Sequence, residues 1–90
     1  MLVLPEELTH ASAPACCRML AQALRSDPSR QAVADASALR VFDSSALAVL
    51  LDCRREALAL GKTFAVNQLH PRLRALAALY GVGELLPSVS

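Results

Sequence analysis

The chain opens on a short apolar run, residues 2–4 (Leu, Val, Leu), closed by Pro5. A run of that length bounded by proline predicts a short strand. Thr9 and Ser12 then supply cap-type residues, and Pro14 follows. Proline is tolerated in a first helical turn, where its missing N–H has no partner to lose, so a helix is predicted from about Ser12. Its apolar positions (Ala13, Cys16, Cys17, Leu20, Ala21 and Leu24) step by three and four along one face, and Ser26, Asp27 and Pro28 end it. Residues 31–36 read as a buried strand around Ala32, Val33 and Ala34, although alanine favours strand poorly. Val41 and Phe42 restore apolar character just ahead of Asp43, Ser44 and Ser45.

That polar triplet is the clearest boundary in the chain. Asp and Ser are preferred before a helix because their oxygens accept from the unpaired amides of its first turn. Behind it lies an apolar helix carrying Ala46, Leu47, Val49, Leu50, Leu51, Cys53, Ala57, Leu58 and Leu60, with Asp52, Arg55, Glu56 and Ala59 on its wetter side. Gly61 suits the left-handed residue that stops it. Residues 63–66 (Thr, Phe, Ala, Val) predict a strand closed by Asn67. Pro71 opens a third helix with a core stripe of Leu73, Leu76, Ala77 and Tyr80, and Gly81 ends it ahead of a short apolar tail, residues 82–86. Strands alternating with helices predict an α/β fold with helices packed on a mixed or parallel sheet. An all-helical arrangement fits the same pattern, because alanine-rich strands read much like buried helix.

Ninety residues make one domain, taken as residues 1–90. A hydrophobic share of 54% argues against disorder, while an aromatic share of 3% gives little for nucleic-acid bases to stack on. Nine basic and eight acidic side chains leave a net charge of +1, which draws no polyanion. No nucleic-acid partner is expected. The apolar runs fall well short of the roughly 20 residues that span a bilayer. Residues 1–7 have neither the basic region nor the apolar core of a secretion signal. The expectation is therefore a cytoplasmic chain without direct membrane insertion. Three cysteines, two of them adjacent, make no disulfide framework; thiols acting as small apolar fillers in a reducing compartment fit better.

Searches for catalytic chemistry return little. The chain holds no phosphate loop, dinucleotide fingerprint, HExxH, CxxC or GxSxG. His10 and His70 stand alone near predicted helix starts, where a surface or capping role suffices. Cys16, Cys17 and Cys53 fall on apolar helix faces and read as structural thiols. Asp52, Arg55 and Glu56 share one helix face and read as solvated charge. No catalytic residue, metal ligand or cofactor is expected. Ser44 differs in kind. A hydroxyl at a helix start sits where free amides and the macrodipole favour negative charge, so a phosphoryl group there would be stabilised and would alter a docking surface. A plain N-cap is the simpler role.

Three stretches carry a resemblance: LVLPEELTHASA (residues 2–13), VFDSSALAVLLDCRREALALGKTFAVNQL (41–69) and LRALAALYGVGELLP (73–87). Together they resemble the STAS domain family (sulfate transporter and anti-sigma factor antagonist). The ending from Leu76 to Pro87 is similar to its MlaB-like branch, the small subunits of phospholipid-transport ABC systems. The resemblance implies a small mixed sheet packed against about three to four helices, and it supports a strand near Val33. It implies a partner-binding surface of Asp43, Ser44, Ser45, Ala48, Asp52 and Arg55. The partner it implies is the ATPase subunit of an ABC transporter, with the chain peripheral at the inner membrane through that complex. The alternative is an anti-sigma factor antagonist that binds an anti-sigma kinase, with Ser44 as the phosphorylation position. Two departures stand out. Ala46 replaces the glycine common after the hydroxyl pair, and residues 2–4 align with the family's second strand. The first edge strand is then absent, or the start site is misassigned; an open edge would favour a homodimer.

Overall fold

The alanine-rich stretches are strands. In the computed structural model, which describes residues 2–89, the elements run β1 (Leu2–Val3), β2 (Glu7–Leu8), α1 (Ala13–Ser26), β3 (Gln31–Asp35), β4 (Val41–Phe42), α2 (Ser45–Ala59), β5 (Thr63–Asn67) and α3 (Pro71–Leu79). A 3-10 turn, Gly83–Leu85, follows. The strand pairings among the described residues are all parallel: β3 lies between β1 and β5, and β2 pairs β4. This is the α/β arrangement expected, and the helical alternative is set aside. β2, at Glu7–Leu8, is an element the periodicity does not reveal, because two residues are too few to show an alternation.

β1 and β2 are two parts of one bent path around Pro5. Leu2 faces Ala34 and Glu7 faces Val41, so five positions on the first path match seven on the second. The two extra residues are taken up in a turn where Leu39 N–H donates to the Ala36 carbonyl at 3.1 Å. Arg40 and Val41 then both donate to the Glu6 carbonyl, at 2.8 and 3.1 Å, and pairing resumes. On the opposite flank, Val66 donates to the Pro87 carbonyl (2.8 Å) and accepts from Val89 (3.1 Å), so the tail lies along β5 as a further strand-like segment. β1 is the outer strand on its own flank among the described residues.

α1 and α2 pack on each other, with α1 reaching β1 and α2 reaching β5; α3 sits against α2 and the 3-10 turn. Alanine in β3 suits this arrangement. Ala32 and Ala34 are buried, and small side chains let neighbouring layers approach closely. Leu4, Leu8, Leu24, Leu50, Leu73 and Leu86 are among the largest fully buried residues. Each contributes roughly 1.5–3 kcal/mol through burial, before the ordering entropy is subtracted.

Gly61 (φ +75°) and Gly81 (φ +74°) adopt the left-handed conformation that ends α2 and α3. The stripes overrun those ends. Tyr80, expected in the core stripe of the third helix, is 59% exposed because it is the residue that caps α3, where the chain already turns away. Leu58 and Leu60 are likewise exposed at the last turn of α2. In α1, Cys16, Leu20 and Leu24 form the buried line, and Ala13, Cys17 and Ala21 flank it half-buried.

Candidate functional site

The polar triplet folds into the first turn of α2, with its capping chemistry moved back by one residue. Ser44 occupies the N-cap position at φ −62°, ψ −17°, already helical, and its hydroxyl makes no capping bond. A capping side chain usually needs an extended backbone to swing its oxygen over the amides. Asp43 does the capping instead: Oδ1 accepts from Ser45 N–H at 2.8 Å. Its other oxygen, Oδ2, accepts from His10 N–H at 3.0 Å, a tie across 33 residues to the turn that precedes α1. The His10 amide, followed by that of Ser45, holds the Asp43 carboxyl below the usual carboxylate range. Ser44 is exposed and its hydroxyl is not used by the helix. Ala46, the departure from the expected glycine, lies within α2 and is fully buried. The only non-glycine residue with positive φ among those described is Gln68, so alanine fits at position 46 without strain.

Two clefts flank this turn. Between α1 and α2, a cleft of about 400 Å³ is lined by His10, Ala13, Pro14, Cys17, Ser45, Ala48, Val49 and Asp52. Its walls are largely apolar. Burial, then the neighbouring Asp52 carboxylate, push the Cys17 thiol up. Cys53 is pushed up to about 12, chiefly by burial, so it stays a protonated packing group at neutral pH. Between α2 and α3, a second cleft of about 270 Å³ is lined by Phe42, Asp43, Ser44, Arg72 and Leu76. The Arg72 guanidinium lies 5.6 Å from the centre of the Phe42 ring, and the His70 ring packs against the same phenyl at 5.0 Å with a 60° tilt.

The six residues singled out for partner binding fall around these clefts. Asp43 and Ser44 line the α2–α3 side, and Ser45, Ala48 and Asp52 line the α1–α2 side. Arg55 lies outside both and pairs with Asp52. No cluster of three or more metal-ligating side chains occurs among the described residues, and no helix among them is long and apolar enough to cross a membrane.

The family model described as Mlab, STAS domain matches residues 1–87. The chain belongs to this STAS family. The solved structure of the anti-sigma factor antagonist SpoIIAA in its unphosphorylated form shares the fold, with a TM-score of 0.74 at 19% identity. The match covers 98% of this chain and 76% of that one. No curated protein sequence matches.

In this STAS domain the second wall of the site is not evident from residue spacing. His70 stands at the expected helix start, where its Nδ1 accepts from Arg72 N–H at 3.0 Å, but nothing in the spacing links Arg72 and Leu76 to Ser44. Only the fold brings residues 42–44 and 72–76 together. One local signal was available. Arg72 stands at the beginning of a helix, the end where the macrodipole disfavours a cation, and such a placement asks for another reason.

Proposed function

We propose that this STAS domain is a non-catalytic, cytoplasmic subunit that binds the ATPase of a phospholipid-trafficking ABC transporter and stabilises or regulates it. That transporter would maintain the lipid asymmetry of an outer membrane, and the domain would sit at the inner membrane only through the complex. The observation that carries the reading is the match of nearly the whole chain to the Mlab-described family. The site fits it. The start of α2 is a ridge clamped by Asp43, with Ser44 and Ala48 exposed beside apolar clefts. A surface of this kind acts by contact: apolar walls supply affinity and the polar rim supplies orientation.

The test is co-purification with the ATPase subunit from the same organism. Ser44→Asp and Ala48→Glu each place a charge where the interface would be desolvated, and each is expected to reduce capture by tenfold or more. Equal capture of both variants and wild type would remove this surface from the interface.

A second reading, an anti-sigma factor antagonist switched by phosphorylation of Ser44, is favoured by the shared fold with SpoIIAA and by the unused, exposed Ser44 hydroxyl. It predicts a phosphoryl group on Ser44 in protein isolated from its native host, and capture of an anti-sigma kinase in place of a transporter ATPase. Intact-mass measurement on that material separates the two.

A further inference from the structure

Arg72 is a basic side chain that the fold stacks on a ring and pairs with no carboxylate among the described residues. Arg74, two residues on, donates to the Leu86 carbonyl and to the Ser88 hydroxyl and so ties the tail to α3. Arg72 is exposed, and no carboxylate among the described residues lies within 4.0 Å of it. Asp43, on the same cleft, directs its two oxygens to the amides of Ser45 and His10. Position 72 is also unfavourable for the helix, since a cation in the first turn opposes the macrodipole. Neither helix stability nor an internal ion pair accounts for this residue.

What the fold does provide is a platform. The guanidinium of exposed Arg72 lies over the Phe42 ring, and the Phe42 ring is itself packed against His70. A planar guanidinium held in this way is suited to bidentate pairing with a carboxylate. Half-buried Phe42 and Leu76 offer apolar surface beside it in the same cleft.

We propose that the cleft between α2 and α3 receives an acidic side chain of the partner protein, its carboxylate paired with Arg72 and an adjoining apolar side chain packed on Phe42 and Leu76. The proposal rests on the ATPase-binding reading and names the chemistry of the contact. Arg72 then decides which partner surface is accepted, because a basic residue brought to the same place meets like charge. Ser44 shares the cleft, so negative charge at Ser44 competes with the partner's carboxylate for the same guanidinium.

The experiment measures the affinity of the full chain for the ATPase subunit from the same organism, using wild type, Arg72→Gln, Arg72→Lys and Arg72→Glu. The side chain is exposed, so unchanged thermal midpoints are expected and are measured alongside. Arg72→Gln weakens binding about tenfold or more, Arg72→Lys less, and Arg72→Glu most. Reversal of one Asp or Glu on the ATPase to Arg restores binding of Arg72→Glu. Wild-type binding with an unaltered affinity for Arg72→Gln overturns the proposal and leaves the ATPase reading standing. Loss in Arg72→Glu that no such reversal restores overturns the carboxylate contact. Failure of the wild type itself to bind overturns the ATPase reading and the proposal with it.

Discussion

α2 and α3 begin on opposite walls of one cleft, and they are held there by different means. The start of α2 depends on a distant tie, since Asp43 bonds both to Ser45 beside it and to His10 near the start of α1. The start of α3 is a local construction: Pro71 pre-sets the backbone and His70 accepts from Arg72 two residues away. The bodies of the helices differ in the same sense. α2 packs on α1 and β5, while α3 leans on α2 and the 3-10 turn. The start of α2 is thus tied by a hydrogen bond from a distant amide, whereas the hydrogen bond at the start of α3 is local and only ring contacts with Phe42 reach across the chain.

The largest test of this contrast removes core volume from each helix. Leu50 and Leu73 are both fully buried. Leu50→Ala is expected to cost about 3–5 kcal/mol, because a cavity enclosed on two sides relaxes poorly, and Leu73→Ala nearer about 2 kcal/mol. Urea unfolding of both variants checks the order, and equal losses would break the contrast. A smaller effect comes from the caps. Asp43→Ala should lower the urea midpoint more than His70→Ala. It should also speed amide exchange at His10, 33 residues away in sequence, whereas His70→Ala should change exchange only at the start of α3.

The smallest effect is a pH dependence. Asp43 has its folded-state carboxyl held below the usual range by the His10 and Ser45 amides. The stability this supplies is present above the ordinary aspartate value of about 4 and is lost as pH falls through the lowered folded value. The gap in stability between wild type and Asp43→Asn should therefore be constant near neutrality and close below about pH 4. Unfolding curves between neutral and strongly acidic pH test this.

The sequence carried the helices well because their marks are local. Pro14, the Asp43 triplet, Gly61, Pro71 and Gly81 each act within a turn of themselves, and the observed boundaries fall beside them. β3 was legible as a segment and ambiguous in type, since alanine reports burial without reporting period. Glu7–Leu8 and Val41–Phe42 pair with each other across 34 positions, and neither is long enough to show an alternation. The exposure of Tyr80 was hidden for the opposite reason: the three-and-four spacing continues past the point where the helix stops. At the site, the triplet is visible as a cap, but which of its side chains does the capping is not: Asp43 does so and Ser44 does not, because a side-chain cap depends on the backbone angles at the N-cap. The second wall, with Phe42 and Arg72, exists only after α3 is laid beside α2.

The strand-like tail has a mechanical consequence. Leu2–Val3 lies on one flank of the sheet and residues 87–89 on the other, with β3 and β5 between them and all the strands pointing the same way. Residues 2, 34, 66 and 88 stand in one row across the sheet, so tension applied through residues 2 and 89 runs largely across the strands. It pulls on the β3–β5 hydrogen bonds from the Ala34–Val66 end, where they open one after another, in place of shearing them together. Force spectroscopy would read this as a low rupture force for pulling through these two residues.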